Sequence, residues 1–239
     1  MTVVAIHQPN FFPWLGYFDK IARCDRFVFL DHVQYPKSGA GNWSNRVQLM
    51  VGGRPQWVTA PIDRAFSGVR AINDLEFAAR PPWREKFRKT LVANYGRTPF
   101  FSETMACLDP ILADADDNLS RFNGGAIRQL IAHIGLRGPT LFRSSELDVT
   151  GSSNDLLISI AAAVGADTYL CGGGSAEYLD APVFAAAGVN LVFQQFVHPS
   201  YPQARSDRFV PGLSIVDALM NCGRTGVGQM LRGEGDRDA

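Results

Sequence analysis

The chain of 239 residues is long enough for one large domain or two small ones, with a core that buries most of its apolar surface. With 46% hydrophobic and 19% charged residues, it has the composition of an ordinary soluble globular protein. Its 23 basic side chains balance its 23 acidic ones, which argues against a nucleic acid or an acidic membrane as partner, because neutralising phosphates needs a basic surplus on one face.

"TVVAI" (2–6) is a short apolar run rich in β-branched residues and predicts a buried strand. Leu15, Phe18, Ile21 and Ala22 recur at helical spacing, and "RFVFLD" (26–31) returns to strand. A crossover of roughly twenty residues between the two strands suits a parallel βαβ unit. Residues 43–62 predict a hairpin, with "NRVQLMV" and "PQWVTAPI" flanking a Gly52–Gly53 turn that supplies positive φ. "PPWREKFRKTLVANYG" (81–96) predicts a helix opened by prolines and closed by Gly96. Its Lys and Arg residues read as a solvated face. A second helix is expected over 119–136, open to interruption at Gly124–Gly125, and a third over 152–166. "DTYLCGG" (167–173) predicts a strand entering a glycine run, followed by a helical segment and a strand over 189–196. The order predicts an α/β fold: a mostly parallel sheet flanked by helices, with a β-hairpin insertion near 43–62. One domain is expected over 1–223, with 224–239 as a polar C-terminal tail.

In open α/β sheets ligands sit beyond the carboxyl ends of the parallel strands. Four polar loops leave such ends: "HQPNFFPWLG" (7–16), "DHVQYPKSGAGNWSNR" (31–46), "CGGGSAEYL" (171–179) and "FVHPSYPQ" (196–203). If the strands are neighbours, one rim gathers His7, Gln8, Asn10, Asp31, Gln34, Asn45, Arg46, His198, Tyr201 and Gln203. Gly172, Gly173 and Lys20 join this candidate set as phosphate contacts, through main-chain N–H groups and an ammonium. Each residue also has a structural reading. His7 can be a core histidine satisfied by backbone, Asp31 a turn cap, Asn45 and Arg46 pins of the hairpin, and Lys20 and Lys37 solvated cations. Phe11, Phe12, Trp14, Phe18 and Trp43 read as core or pocket wall. His7, Asp31 and His198 are too few to make a metal site of known geometry.

No stretch approaches the ~20 apolar residues that span a bilayer, and no basic segment precedes an apolar one at the start, so the expectation is a cytoplasmic protein without membrane insertion. Cys24, Cys107, Cys171 and Cys222 are widely spaced and form no CxxC, which fits free thiols in a reducing compartment.

With "IHQPNFFPWLGYFDKI", "DHVQYPK", "NWSNR", "YLCGGGSAEYL", "HPSYPQ" and "FVPGLSIVDALMNCG" in order along nearly the whole chain, the sequence resembles the WbqC-like family of bacterial proteins. The resemblance implies a place in surface-polysaccharide or secondary-metabolite biosynthesis. A more distant similarity, to the nucleotidylyltransferase and pantothenate-synthetase superfamily, implies a Rossmann-like fold of the HUP/nucleotidyltransferase type. The His-x-Gly-His motif of that superfamily falls here on Pro13, Trp14, Leu15 and Gly16, so both of its histidines are missing and its usual adenylyl transfer is in doubt.

The expectation for function is a transferase that moves an acyl or aminoacyl group onto an amino sugar or similar nucleophile. His7 or His198, with a pKa near neutrality, would be the base, Asp31 would orient it, and Arg46, Asn45 and Asn10 would hold an oxyanion or carboxylate. The small-molecule substrate would be nucleotide-, thioester- or carrier-linked, and no cofactor can be named. The alternatives are nucleotidyl transfer or nucleotide-dependent ligation on the same scaffold, with Mg²⁺ on Asp31, and a non-catalytic binding or scaffold protein.

Overall fold

The computed structural model describes residues 1–35, 43–175, 177 and 179–232. Strand β1 (Val3–His7), helix α1 (Leu15–Ala22) and strand β2 (Arg26–Phe29) form the predicted opening unit. A hairpin of β3 (Arg46–Val51) and β4 (Arg54–Thr59) follows, then helices α2 (Trp83–Tyr95), α3 (Phe101–Ala113) and α4 (Leu119–Ile134). The chain returns to the sheet as β5 (Thr140–Arg143), crosses by α5 (Ser153–Ala163) to β6 (Thr168–Cys171), and by α6 (Ala181–Ala186) to β7 (Asn190–Phe193). Helical stretch α7 (Ile215–Arg232) closes it.

Five strands pair in the order β5-β2-β1-β6-β7, every pair parallel, and the antiparallel hairpin stands apart from them. The chain lays β2 and β5 to one side of β1, then β6 and β7 to the other. The order therefore reverses between β1 and β6, the point at which α/β sheets open a crevice for ligands.

Alternation along the strands sends Val4, Ile6 and Val28 into a small core with Ile160 of α5 and Phe184 of α6. Ala5, Phe27 and Phe29 face the larger core on the other side, built with α1, α2, α3, α4, α7 and the hairpin. By the same alternation His7 lies on the α1 side of β1.

Two sequence expectations change. Gly124–Gly125 does not interrupt α4. The helix runs unbroken through both, and a Cβ at Gly124 would sit in ordinary contact, 3.6 Å from the Phe29 ring. Residues 224–232 are not a loose polar tail: beyond a break at Gly223 (φ +67), where a side chain would meet the Phe100 ring, α7 continues and buries Val227 and Leu231. Residues 233–239 lie outside the described residues, as does Lys37. Among the described residues no helix is long and apolar enough to cross a membrane.

Candidate active site

The loop from His7 to Gly16 is pinned from three sides. Phe11 N–H donates to Trp43 O at 2.8 Å, and Asn123 Nδ2 of α4 donates to Pro9 O at 2.9 Å and Ser44 O at 2.7 Å. Ser214, at the start of α7, donates through Oγ to Phe12 O at 2.7 Å. Phe11 and Phe12 are fully buried, packed edge-on or stacked against Trp83, Phe87 and Phe122. Phe12 holds φ +43, a conformation that L residues take only when their surroundings impose it. The aromatics thus anchor the loop in the helical layer, and its two ends form a cleft wall.

That cleft opens at the switch point, about 530 Å³ in volume. His7, Trp14, Gly16, Tyr17 and Lys20 line it from β1 and α1; Gly172, Gly173 and Gly174 line it from the end of β6; Gln194, Phe196 and His198 line it from beyond β7.

The Gln8 carbonyl organises the first wall. It accepts Tyr17 Oη at 3.0 Å and lies 3.1 Å from His7 Nδ1. A carbonyl only accepts, so Nδ1 carries the imidazole proton and Nε2 is left as an acceptor. The ring stands edge-on to Tyr17 at 4.8 Å and to Trp14 at 5.9 Å. Burial first, then the field of Lys20, pushes the His7 pKa down to about 3. The near-neutral value expected from sequence is thereby corrected: His7 is a neutral imidazole of fixed tautomer. His198 is half-buried, edge-on to Phe196 at 4.9 Å, with its pKa lowered by burial.

Lys20 is 4% exposed. Burial brings its pKa down to about 8, against the fields of Cys171, Cys24 and Asp19. Among the described residues it forms no ion pair. Asp19 is occupied elsewhere, by Gln194 Nε2 at 2.6 Å and by Arg23 at 3.4 Å. The ammonium lies beside the glycine run, since a Cβ built on Gly172 would be 3.5 Å from Nζ.

Of the residues picked from sequence, His7, His198, Lys20, Gly172 and Gly173 meet in this cleft. Most of the others are taken up by the fold. Asp31 is fully buried and reaches neither histidine; its carboxylate accepts Ser120 Oγ at 2.8 Å, Ser145 Oγ and N–H at 3.0 Å, and Ser144 Oγ at 3.2 Å. It ties the end of β2 to α4 and to the turn after β5, and its expected role in orienting an imidazole is withdrawn. Asn45 accepts Tyr35 Oη at 2.9 Å and donates to Ala60 O at 2.8 Å, pinning the hairpin. Arg46 stacks over Trp57 at 4.4 Å, and Gln34 is exposed beside Ala71. Asn10 is 2% exposed, and its Nδ2 has no hydrogen-bond partner.

Tyr201 and Gln203 belong to a second buried polar cluster. Asp217 of α7 accepts Tyr95 Oη and Tyr201 Oη, each at 2.8 Å, with Gln203 Nε2 at 3.4 Å. Burial raises the Asp217 pKa against the pull of those donors. Gln194 falls inside the strand expected over 189–196, so sequence reasoning does not single it out, yet it lines the cleft. Its Nε2 also donates to Gly16 O at 2.8 Å, joining the β7 loop to α1. Its place just beyond the carboxyl end of a parallel strand was the available signal. Among the described residues no three His, Cys, Asp or Glu side chains gather as a metal site.

The uncharacterized protein Rv1507c of Mycobacterium tuberculosis is 28% identical over 225 residues, covering 93% of this chain and 95% of that protein. No solved structure matches the chain. The WbqC-like family model matches residues 8–228, from the loop that carries one cleft wall to the helix that carries Asp217, and the chain therefore belongs to the WbqC-like protein family.

Proposed function

We propose that this protein is a biosynthetic transferase, in a surface-polysaccharide or secondary-metabolite pathway, that moves an acyl or aminoacyl group from an activated donor onto the amine of an amino sugar or similar small molecule. The observation that carries the reading is His7. It is a neutral imidazole of fixed tautomer on the wall of a switch-point cleft, with Nε2 able to accept a proton. The amine nitrogen attacks the donor carbonyl, the C–N bond forms, and the bond to the sulfur or oxygen leaving group breaks. A base with so low a pKa takes little from a resting ammonium. It takes the proton as the attacking nitrogen becomes cationic and acidic, and returns it to the leaving group. Trp14 and Phe196 limit water at the reacting carbonyl. Nucleotidyl transfer gains support from Lys20 beside the glycine run, but Mg²⁺ on Asp31 is overturned, because serine hydroxyls and a main-chain N–H already occupy its carboxylate.

Incubation with coenzyme A thioesters, acyl phosphates and nucleotide-linked amino sugars, read by mass spectrometry, tests the reading. The expected result is an N-acylated sugar with wild type, and its loss in His7→Ala at an unchanged melting temperature. Equal turnover by the variant, or its unfolding, would assign His7 to structure.

A further inference from the structure

The transfer chemistry assigned to His7 makes no use of Lys20, yet Lys20 is a buried cation without an ion-pair partner among the described residues. An ammonium taken out of water without a counter-ion costs several kcal/mol and is retained where a ligand supplies the missing charge. Lys20 is 4% exposed, borders the cleft and has no ion-pair partner among the described residues, and the nearby Asp19 carboxylate is held by Gln194 and Arg23.

Three features around it point the same way. Gly172 places no side chain beside Nζ, where a larger residue would grow from a Cβ 3.5 Å away and cover it. Gly173 and Gly174 continue along the cleft, likewise without side chains. Trp14, the residue preceding α1, provides no side-chain cap, and Gly16 in the first turn borders the same space. A helix start, a glycine run and a lysine together make a site for an oxyanion.

We infer that the corner formed by Lys20, the Gly173–Gly174 backbone and the first turn of α1 binds a phosphate group, by which the donor of the proposed transfer is held. A carboxylate has two coplanar oxygens. A phosphate is tetrahedral, so it can meet an ammonium on one face and main-chain donors on another. Its second negative charge neutralises Lys20 and leaves one for the helix start. The donor is thus a phosphate-bearing molecule such as an acyl phosphate, a nucleotide conjugate or a coenzyme A thioester. Only the word "donor" rests on the transferase reading, since phosphate binding is read without turnover.

Isothermal titration of the full chain with pyrophosphate, and separately with malonate, tests the inference. Wild type should bind pyrophosphate, with affinity at least tenfold lower in Lys20→Met, which removes the charge, and in Gly172→Leu, which covers it. Lys86→Met, at an exposed position on α2, should match wild type. In wild type itself the amide resonances of Gly173 and Gly174 should move on titration while those of Gly52 and Gly53 in the hairpin turn stay still, a readout that survives if a variant fails to fold. Silence with pyrophosphate, binding of malonate alone, or movement confined to other amides would overturn it. Pyrophosphate binding without any acyl transfer would sink the transferase reading and leave this site standing; transfer without pyrophosphate binding would do the reverse.

Discussion

Asp31 and Lys20 lie on either side of β1, one just past the end of the neighbouring strand and one in the helix that β1 feeds, and each is a charge withdrawn from water. Asp31 is met by four donors from three serines, whereas Lys20 is met by no counter-charge among the described residues. The difference separates two uses of a buried charge. A saturated carboxylate is a clamp that holds β2, α4 and the turn after β5 in one arrangement. A bare ammonium is a cost that the fold carries for something outside itself.

The clamp should break hardest. Asp31→Ala removes four hydrogen bonds and strands buried hydroxyls, so unfolding in urea should show a loss of about 4 kcal/mol. A variant that folds normally and loses only activity would place Asp31 in the chemistry instead.

Removing the other charge should have the opposite sign. The Lys20 pKa, about 8 in the folded chain against an ordinary 10.5, lies below its unfolded value. Below pH 8 both states are protonated and the folded state bears the full cost of the ammonium, so Lys20→Met should be more stable than wild type there, by about 3 kcal/mol in order of magnitude. Between pH 8 and 10.5 the unfolded chain binds the extra proton. Wild type therefore regains stability relative to the variant by at most about 1.4 kcal/mol per pH unit, and the gap closes above that window. His7, Asp19, Cys24 and Cys171 act on Lys20, and they are present in both proteins, so the difference between the two curves isolates it. A gap independent of pH would show that packing, not charge, separates them.

The contrast also explains what could be read from the sequence. Strands β1, β2, β6 and the hairpin were legible because β-branched and apolar runs meet clear turn signals there. Helix α3 was hidden by Pro110 in its interior, and β5 by its four-residue length just after Pro139 at the sheet edge. Position at strand ends picked out His7, Gly172 and Gly173, which line one cleft. It also drew in Asp31, Asn45, Tyr201 and Gln203, which are polar for the sake of partners far along the chain: Ser144, Ala60 and Asp217. Residue type and position show that a group is polar and where it leaves the sheet. Only the fold shows whether something already satisfies it.

Gly16 tests the comparison at its finest point, because its neighbours are the rings that wall the cleft. A Cβ there would stand 2.8 Å from both the Phe196 ring and Trp14 Nε1, closer than packing allows. In a closed core such an insertion costs about 1–3 kcal/mol. Here both rings border open space and can swing into the cleft, while alanine in a helix recovers a few tenths of a kcal/mol or more over glycine. Gly16→Ala should therefore melt within about 1 kcal/mol of wild type and still bind pyrophosphate several-fold more weakly, as the displaced rings narrow the approach to Lys20. Calorimetry and titration on one sample separate the two effects. A stability loss as large as that of Asp31→Ala would mean that Trp14 and Phe196 are locked core, and that this wall of the cleft belongs with the clamp.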